Sequence, residues 1–198
     1  MATIVVPFRS NDPKSRLEGV GEAERLALAH AMLADVLAAA APVGTVLVAA
    51  LEAPGAPPGV RHVEDPHRGQ GAAVLAALDE AMVSGLPAPY LVVNADLPCA
   101  DSRDLLALAG AVPDRGLALA VAADGTTNAL ALADAGLFEP VYGPGSADRF
   151  AALAPSRRLD LPNLMDDVDT LDDLVRLRDR LGEHTRRLLL ALDLPSAA

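Results

Sequence analysis

The sequence Tyr90-Leu91-Val92-Val93-Asn94-Ala95-Asp96-Leu97-Pro98 is a short apolar run followed at once by more polar residues. A brief run without apolar/polar alternation is typical of a strand buried on both faces of a parallel sheet. In open α/β sheets, ligands bind at the carboxyl ends of the strands. The position of Asp96 is therefore that of a functional carboxylate, or of a cap for a helix that starts near Ser102.

Similar strand patterns occupy residues 3–6, 45–50 and 117–122, and patterns with helical spacing occupy 22–39 and 71–82. This alternation predicts βαβ units, and hence an α/β fold with a mainly parallel sheet flanked by helices. Two further helices are expected near the end, from Leu171 to about Arg180 and from His184 to Leu192. A length of 198 residues suits one domain over 1–198.

Composition narrows the function classes. The formal charge of −11 argues against nucleic acid or an anionic membrane as the main partner. Cys99 is the one cysteine, so no internal disulfide forms and a reducing cytoplasm is the expected location. The start of the chain has neither a basic region nor a long apolar segment, so no signal peptide or membrane span is predicted.

A second acidic element is Asp166-Asp167-Val168-Asp169-Thr170. In an extended segment, Asp167 and Asp169 project to the same side, and both carboxylates can reach one cation. Hard oxygen ligands suit Mg²⁺, which shares its remaining positions with water and substrate phosphates. The alternative is that these acids favour the N-terminus of the next helix, a role for which Asp172 and Asp173 are better placed.

A polar loop over 7–17 follows the first predicted strand and contains Lys14 and Arg16. Both cations can neutralise a triphosphate, although a basic loop taken alone is more often a solvated surface. The loop lacks the Walker glycine-lysine pattern and the dinucleotide-binding glycine fingerprint, so a P-loop ATPase or a dinucleotide-binding enzyme is not supported.

Three glycine-containing turns are weaker candidates: 69–71 (GQG), 124–128 (DGTTN) and 142–146 (YGPGS). Backbone N–H groups at such turns, with nearby hydroxyls, form anion sites. Taken alone, each of the latter two is better explained as an ordinary turn, with Ser146 as a helix cap. The first brings main chain close to a nucleotide base, or is simply a turn.

Taken in order, these motifs resemble the guanylyltransferases of deazaflavin coenzyme F-420 biosynthesis, which act on 2-phospho-L-lactate or phosphoenolpyruvate. The resemblance runs from Val5 to about Leu174. Five segments carry it: VPFR and PKSRL within 6–17, NADLP at 94–98, DGTTNAL at 124–130, YGPGS at 142–146 and DVDT at 167–170. The chain departs from the family at Arg9, where lysine is frequent, and at Asn94, where a small residue or proline is common.

The resemblance implies a nucleotide-diphosphosugar transferase (GT-A-like) fold with a mixed sheet, whereas the periodicity suggests a purely parallel one. It also implies three groups of site residues: Asp96, Asp167 and Asp169 for Mg²⁺; Thr127, Gly143 and Ser146 for the acceptor; and Pro7, Lys14, Arg16, Gln70 and Gly71 for the nucleotide.

The expected reaction transfers GMP from GTP to the phosphate of a three-carbon acid, with Lys14, Arg16 and Asp96 as catalytic residues. The alanine- and arginine-rich composition resembles that of proteins from GC-rich genomes. Bacterial members of the resembled family tend to use phosphoenolpyruvate and archaeal members 2-phospho-L-lactate, so the resemblance favours phosphoenolpyruvate as acceptor. Hand-off of the product to a downstream deazaflavin transferase is also expected. The alternatives are a sugar-phosphate or molybdopterin nucleotidyltransferase and a non-catalytic nucleotide-binding module.

Overall fold

A computed structural model describes residues 1–9, 17, 19–55 and 57–192. Within them, seven strands form one sheet in the order β3-β2-β1-β4-β6-β5-β7. The strands are β1 (Ala2–Pro7), β2 (Gly44–Ala50), β3 (Arg61–Glu64), β4 (Tyr90–Val93), β5 (Leu117–Val121), β6 (Thr127–Leu132) and β7 (Ser156–Arg158).

Seven α-helices accompany the sheet in the described part of the chain. They are α1 (Glu22–Ala40), α2 (Gln70–Val83), α3 (Ser102–Gly110), α4 (Ser146–Ala151), α5 (Pro162–Met165), α6 (Leu171–Leu177) and α7 (Glu183–Ala191). A short 3-10 turn covers Ala135–Leu137. None of these helices is long and apolar enough to cross a membrane.

The sheet is buried on both faces. Along β1, Ile4 and Val6 join the apolar cluster that includes α1, whereas Val5 between them joins the cluster that includes α2. Successive side chains of a strand point to opposite faces, so both faces need apolar residues. This explains why the strands show continuous apolar runs instead of alternation.

The sheet is mixed, as the family resemblance predicted, and the purely parallel sheet suggested by periodicity is wrong. β4 pairs parallel with β1, but β6 pairs antiparallel with both β4 and β5. The reversal has a local cause: Gly125 has φ of 81° and closes a tight turn in which the Ala122 carbonyl accepts from Gly125 N at 3.0 Å. Such a turn joins neighbouring strands as a hairpin, which forces them to be antiparallel.

The predicted strands and helices are present with small shifts at their ends. The largest correction is α6, which ends at Leu177 instead of near Arg180. Three strands had no predicted counterpart. β3 and β7 are polar and largely exposed, so they lack an apolar run. For β6 (Thr127–Leu132), only the first two residues fell within a predicted element, the turn at 124–128.

Helix α7 is fixed to α1 by one buried carboxylate. Asp35 is 5% exposed and accepts from the main-chain N–H groups of His184 and Thr185, each at 2.9 Å. These are N–H groups of the first helical turn, which have no partner within the helix. The helix therefore receives its N-terminal cap from a distant part of the chain.

Candidate active site

Polar side chains collect at one edge of the sheet, where the parallel strands end and β6 begins. Val93 at the end of β4 pairs with Ala129 in β6, and Asn94 N donates to the Asn128 carbonyl at 3.0 Å. The opposite direction of β6 thus brings its first residues beside the last residues of β4. Motifs at 94–98 and 124–130 meet for this reason.

Three carboxylates converge at this edge. One oxygen each of Asp96, Asp167 and Asp169 lies within 4.8 Å of the others. The alternative role for Asp96, a helix cap, is taken by Asp101, whose Oδ1 accepts from Arg103 N at 2.8 Å and Asp104 N at 2.9 Å. Asp96 is therefore not required to cap α3.

The segment that carries Asp167 and Asp169 is tied down on both sides. Val168 is fully buried and its N–H donates to the Asp96 carbonyl at 3.1 Å. The neighbouring Asp166 forms ion pairs with Arg176 and Arg180. Main-chain and ionic contacts thus hold the two carboxylates next to Asp96.

Helix α6 begins directly after this segment with a capping box. Asp173 N donates to Thr170 Oγ1 at 3.2 Å, and Thr170 N donates to Asp173 Oδ2 at 2.9 Å. Asp173 therefore has the helix N-terminal role that was the alternative to metal binding for the acidic residues of this segment. Asp167 and Asp169 are left at the carboxylate cluster.

Burial, followed by the negative charge of Asp96, raises the pKa of Asp167, and Asp169 raises it further. Asn128 opposes the shift, since its Nδ2 lies 3.4 Å from Asp167 Oδ1 and donates to it. The same Nδ2 donates to the Met165 carbonyl at 3.0 Å. Asn128 therefore connects the start of β6 with the acidic segment.

The three carboxylates fit a divalent cation. Like charges this close repel one another, and a bound cation would offset that repulsion. Carboxylate oxygens are hard ligands, and a group of three leaves room for water or phosphate oxygens on the same ion. The cluster can hold a metal ion at the strand edge.

Thr127 and Ser146 are also brought together, although they are 19 residues apart. Thr127 N donates to Ser146 Oγ at 3.0 Å, and Ser146 Oγ lies 3.4 Å from Thr127 Oγ1. Ser146 is fully buried and is the first residue of α4, whose N-cap is Gly145 instead. The hydroxyl of Ser146 therefore holds the start of β6, and the expected cap role is wrong.

Gly143 lies in an exposed loop that one side chain braces. The Arg149 guanidinium donates to the carbonyls of Val141 (3.0 Å), Tyr142 (2.9 Å), Gly143 (3.2 Å) and Pro144 (2.7 Å). Five N–H donors in a planar fork make this possible for arginine alone among side chains. The loop is thus shaped by Arg149 together with the positive φ angles of Gly143 and Gly145.

Gln70 and Gly71 open α2 at the same sheet edge. Gln70 Nε2 donates to Asn94 Oδ1 at 2.8 Å. A Cβ added at Gly71 would overlap Pro140, so the absence of a side chain lets the helix pack against the segment before the Gly143 loop. Both residues are therefore close to the other candidate groups.

The nucleotide-loop residues are only partly described. Pro7 is buried at the end of β1, where it pairs with Ala49. Arg9 follows it, with Nε 3.9 Å from Oδ2 of the buried Asp65. Lys14 and Arg16 lie outside the described residues.

Three residues at the site were not identified as candidates from the sequence: Asn94, Asn128 and Arg149. The two asparagines stand inside quoted motifs, but their partners are 24 or more residues away. Arg149 follows the YGPGS motif by three residues, and its spacing alone does not distinguish it from a surface arginine. Their position within or next to a motif was the signal in the sequence that could have identified these residues. That position does not show which group each one binds.

Comparison with known proteins shows the family of this chain. Residues 2–177 match the family model described as "Guanylyl transferase CofC like". The chain belongs to the CofC-like family. This CofC-like chain is 34% identical to a phosphoenolpyruvate guanylyltransferase of Roseiflexus sp. strain RS-1, and the match covers 93% of this chain and 88% of the relative.

Archaeal relatives are similar at a comparable level. The CofC-like chain is 31% identical to a 2-phospho-L-lactate guanylyltransferase of Methanosphaerula palustris, over 87% of this chain and 82% of the relative. Among solved structures, a protein of Desulfovibrio desulfuricans G20, provisionally named a nucleotide-diphospho-sugar transferase, superposes with a TM-score of 0.75. The superposition covers 97% of this chain and 95% of that chain at 17% sequence identity, and it shows the expected nucleotide-diphosphosugar transferase fold.

Proposed function

We propose that this CofC-like protein transfers GMP from GTP to the phosphate of a small phosphorylated carboxylic acid, phosphoenolpyruvate or 2-phospho-L-lactate, in coenzyme F-420 biosynthesis. The observation that carries the proposal is the convergence of Asp96, Asp167 and Asp169 within 4.8 Å in a chain of this family. Relatives named for each acceptor cover most of the chain. The two acids differ at one carbon centre, so both belong in the test.

In the proposed reaction, an oxygen of the acceptor phosphate attacks the α-phosphorus of GTP. A P–O bond forms to that oxygen, the bond between the α- and β-phosphates breaks, and pyrophosphate leaves. The nucleophile is already an anion, so no strong general base is needed. Catalysis then rests on positioning and on neutralisation of charge.

We assign Asp96, Asp167 and Asp169 as ligands of Mg²⁺. When bound, the ion supplies positive charge to the phosphates and orients them. The contribution of the chain is to hold three carboxylates in a fixed cluster through the Val168–Asp96 main-chain bond and the Asn128–Asp167 contact.

The acceptor is assigned to Thr127, Gly143 and Ser146. The buried Ser146 hydroxyl accepts a hydrogen bond from Thr127 N and so acts on the acceptor through Thr127. Gly143 is exposed, so its main chain can contact the acceptor directly. The carboxylate and the phosphate of a three-carbon acid are both anions, which the main-chain N–H groups of glycine-containing turns can bind.

The nucleotide is assigned to Pro7, Lys14, Arg16, Gln70 and Gly71. Lys14 and Arg16 are proposed, from the sequence motif alone, to neutralise the triphosphate and to act with Asp96 in catalysis. Gln70 and Gly71 lie at the N-terminus of α2, beside Asn94 and Pro140.

Product mass spectrometry tests the proposal. The protein is incubated with GTP, Mg²⁺ and, separately, phosphoenolpyruvate, 2-phospho-L-lactate and 3-phosphoglycerate. We expect a product with the mass of GMP joined to one of the first two acids, with pyrophosphate in equal amount. Binding of GTP without any such product would favour a nucleotide-binding module.

A variant separates the site from the fold. Asp169→Ala is expected to abolish turnover while the thermal unfolding transition stays cooperative. Full activity of this variant would rule out the metal assignment.

A further inference from the structure

Two side-chain amides link the nucleotide segment to the start of β6. Gln70 Nε2 donates to Asn94 Oδ1 at 2.8 Å, and Asn94 Nδ2 donates to the Thr127 carbonyl at 3.4 Å. Thr127 is 3% exposed, and Gln70 and Asn94 are half-buried. The chain of bonds therefore ends on a buried main-chain group that cannot rotate.

That end point fixes the direction of both amides. A carbonyl oxygen accepts hydrogen bonds and never donates, so Asn94 must present Nδ2 to Thr127. Its Oδ1 then faces Gln70, and Gln70 must present Nε2 in return. A 180° flip of either amide would place two acceptors or two donors against each other, so the chemistry of the network decides which way each amide points.

The fixed direction has a consequence for a purine base. The bond to Asn94 is the one hydrogen bond recorded for the Gln70 side chain among the described residues, which leaves Oε1 and the second N–H for a ligand. Guanine has a hydrogen-bond acceptor at position 6 and a donor at position 1. Adenine has a donor at position 6 and an acceptor at position 1. An amide held in one direction matches one of these two orders, and an amide free to flip matches both.

We propose that Asn94 is a positioning residue that locks the Gln70 amide in one direction and thereby makes the protein select guanine over adenine. This inference rests on the proposed assignment of Gln70 to the nucleotide. It gives Asn94, at the end of β4, a role separate from the metal ligand two residues later.

The test compares kcat/KM for GTP, inosine triphosphate and ATP, with Mg²⁺ and phosphoenolpyruvate, in the wild type and five variants. In N94A the Gln70 amide is free to flip, so the GTP-to-ATP ratio should fall about tenfold, the worth of one to two hydrogen bonds. Inosine triphosphate shares the guanine order at positions 1 and 6 and should follow GTP. Q70A should lose the same selectivity, and N94A/Q70A should lose no more than either single variant.

Asn94→Asp separates orientation from packing. A carboxylate at 94 keeps the acceptor that faces Gln70, but it places its second oxygen against the Thr127 carbonyl, where Asn94 has a donor. Gln70 still presents Nε2 to the carboxylate, so the selectivity ratio should be retained while the repulsion at Thr127 and the added charge lower the stability and both rates. Ser84→Ala is the matched control, because it removes a hydrogen bond to Glu80 at the other end of α2. Its ratio should equal that of the wild type.

Calorimetry with GDP and ADP gives a readout that does not depend on turnover. A preference for GDP that is lost in N94A and Q70A and kept in N94D supports the inference. An unchanged preference in N94A, or equal losses in N94A and N94D, overturns it. If N94A does not fold, N94D and Q70A decide: loss in N94D, or no loss in Q70A, overturns the inference.

The two proposals fail separately. Wild-type protein that prefers GDP but transfers no GMP contradicts the proposed function and leaves the role of Asn94 supported by the binding data. Wild-type protein that transfers GMP with unaltered selectivity in N94A contradicts the inference alone.

Discussion

Asn128 donates a hydrogen bond to Asp167, with Nδ2 3.4 Å from Oδ1, and the same Nδ2 donates to the Met165 carbonyl at 3.0 Å. Asn128 thus places a carboxylate of the acidic cluster from a strand that the sequence did not predict. Outer hydrogen-bond partners of metal ligands hold those ligands in position, and their loss typically weakens metal binding by about 10- to 100-fold.

Asn128→Ala is therefore expected to weaken divalent-metal binding about tenfold, with a smaller effect on kcat at saturating metal. Titration of Mn²⁺ into the protein, followed by calorimetry or by electron paramagnetic resonance, measures the affinity without turnover. Ser156→Ala is the control, because Ser156 Oγ donates to the Ala151 carbonyl at 3.2 Å in the edge strand β7, outside the cluster and its partners. Equal affinities in wild type and N128A would contradict the positioning role.

Repulsion within the cluster predicts opposite effects of one substitution with and without metal. Asp167→Asn removes a charge from a carboxylate whose pKa is raised by burial and by Asp96, so the free energy of unfolding of the metal-free protein should increase. The same variant should lose most of the stabilisation that Mg²⁺ gives the wild type, which grows as RT ln(1 + [Mg²⁺]/Kd).

Denaturant unfolding in EDTA and in excess Mg²⁺ measures both effects. Asp179→Asn, at an exposed carboxylate paired with Arg178 at 3.6 Å, serves as control and should change neither. A loss of metal-free stability in D167N, with an intact response to Mg²⁺, is incompatible with the cluster as described.

The brace of the Gly143 loop predicts a split between the two substrates. Lysine keeps the charge at position 149 but cannot donate to four carbonyls in one plane, so R149K should raise KM for the acceptor about tenfold or more and leave KM for GTP nearly unchanged. Steady-state kinetics with each substrate varied in turn measures the split. Arg158→Lys, at an exposed ion pair with Asp148, is the control, and equal changes in both KM values in R149K would argue against a local role.

Burial raises the pKa of Cys99 to about 11, mainly through loss of hydration of the thiolate. Because the folded-state pKa is raised, the stability contributed by the neutral thiol is complete below the ordinary pKa of 9.0 and is lost as pH rises towards 11. The buried thiol should react slowly with iodoacetamide at pH 7.5 and rapidly after unfolding in guanidinium.

Mass spectrometry of the alkylated protein gives an unambiguous readout, since the chain has one cysteine. The native protein should remain unmodified over a time in which the unfolded protein is fully modified. Comparable rates in both states would show that the thiol is accessible and that its surroundings differ from those described.

The sequence predicted the parts of the fold that depend on local patterns. Runs such as Tyr90–Val93 have a continuous apolar character that marks a doubly buried strand, and the Thr170–Asp173 spacing predicted the capping box that is present. Polar edge strands such as Arg61–Glu64 give no such signal, because most of their side chains are exposed and polar, and no apolar run results. The antiparallel direction of β6 depended on a turn at Gly125 whose geometry the sequence does not state.

The site was predictable to the extent that its residues occur in motifs. Asp96, Asp167 and Asp169 were expected together from strand-end position, extended geometry and family resemblance, and the structure brings them within 4.8 Å. The residues that hold them, such as Asn128, act across 37 or more positions of sequence through tertiary contacts. A single sequence has no period or spacing that records such a contact.

The central claim is that the protein moves a nucleotidyl group and not a terminal phosphate. GTP labelled with ³²P at the α position, and separately at the γ position, tests it in one reaction with Mg²⁺ and phosphoenolpyruvate or 2-phospho-L-lactate. We expect the α label to enter the acceptor product and the γ label to leave as pyrophosphate. A γ label in the acceptor product, or release of inorganic phosphate without transfer of the α label, would contradict it.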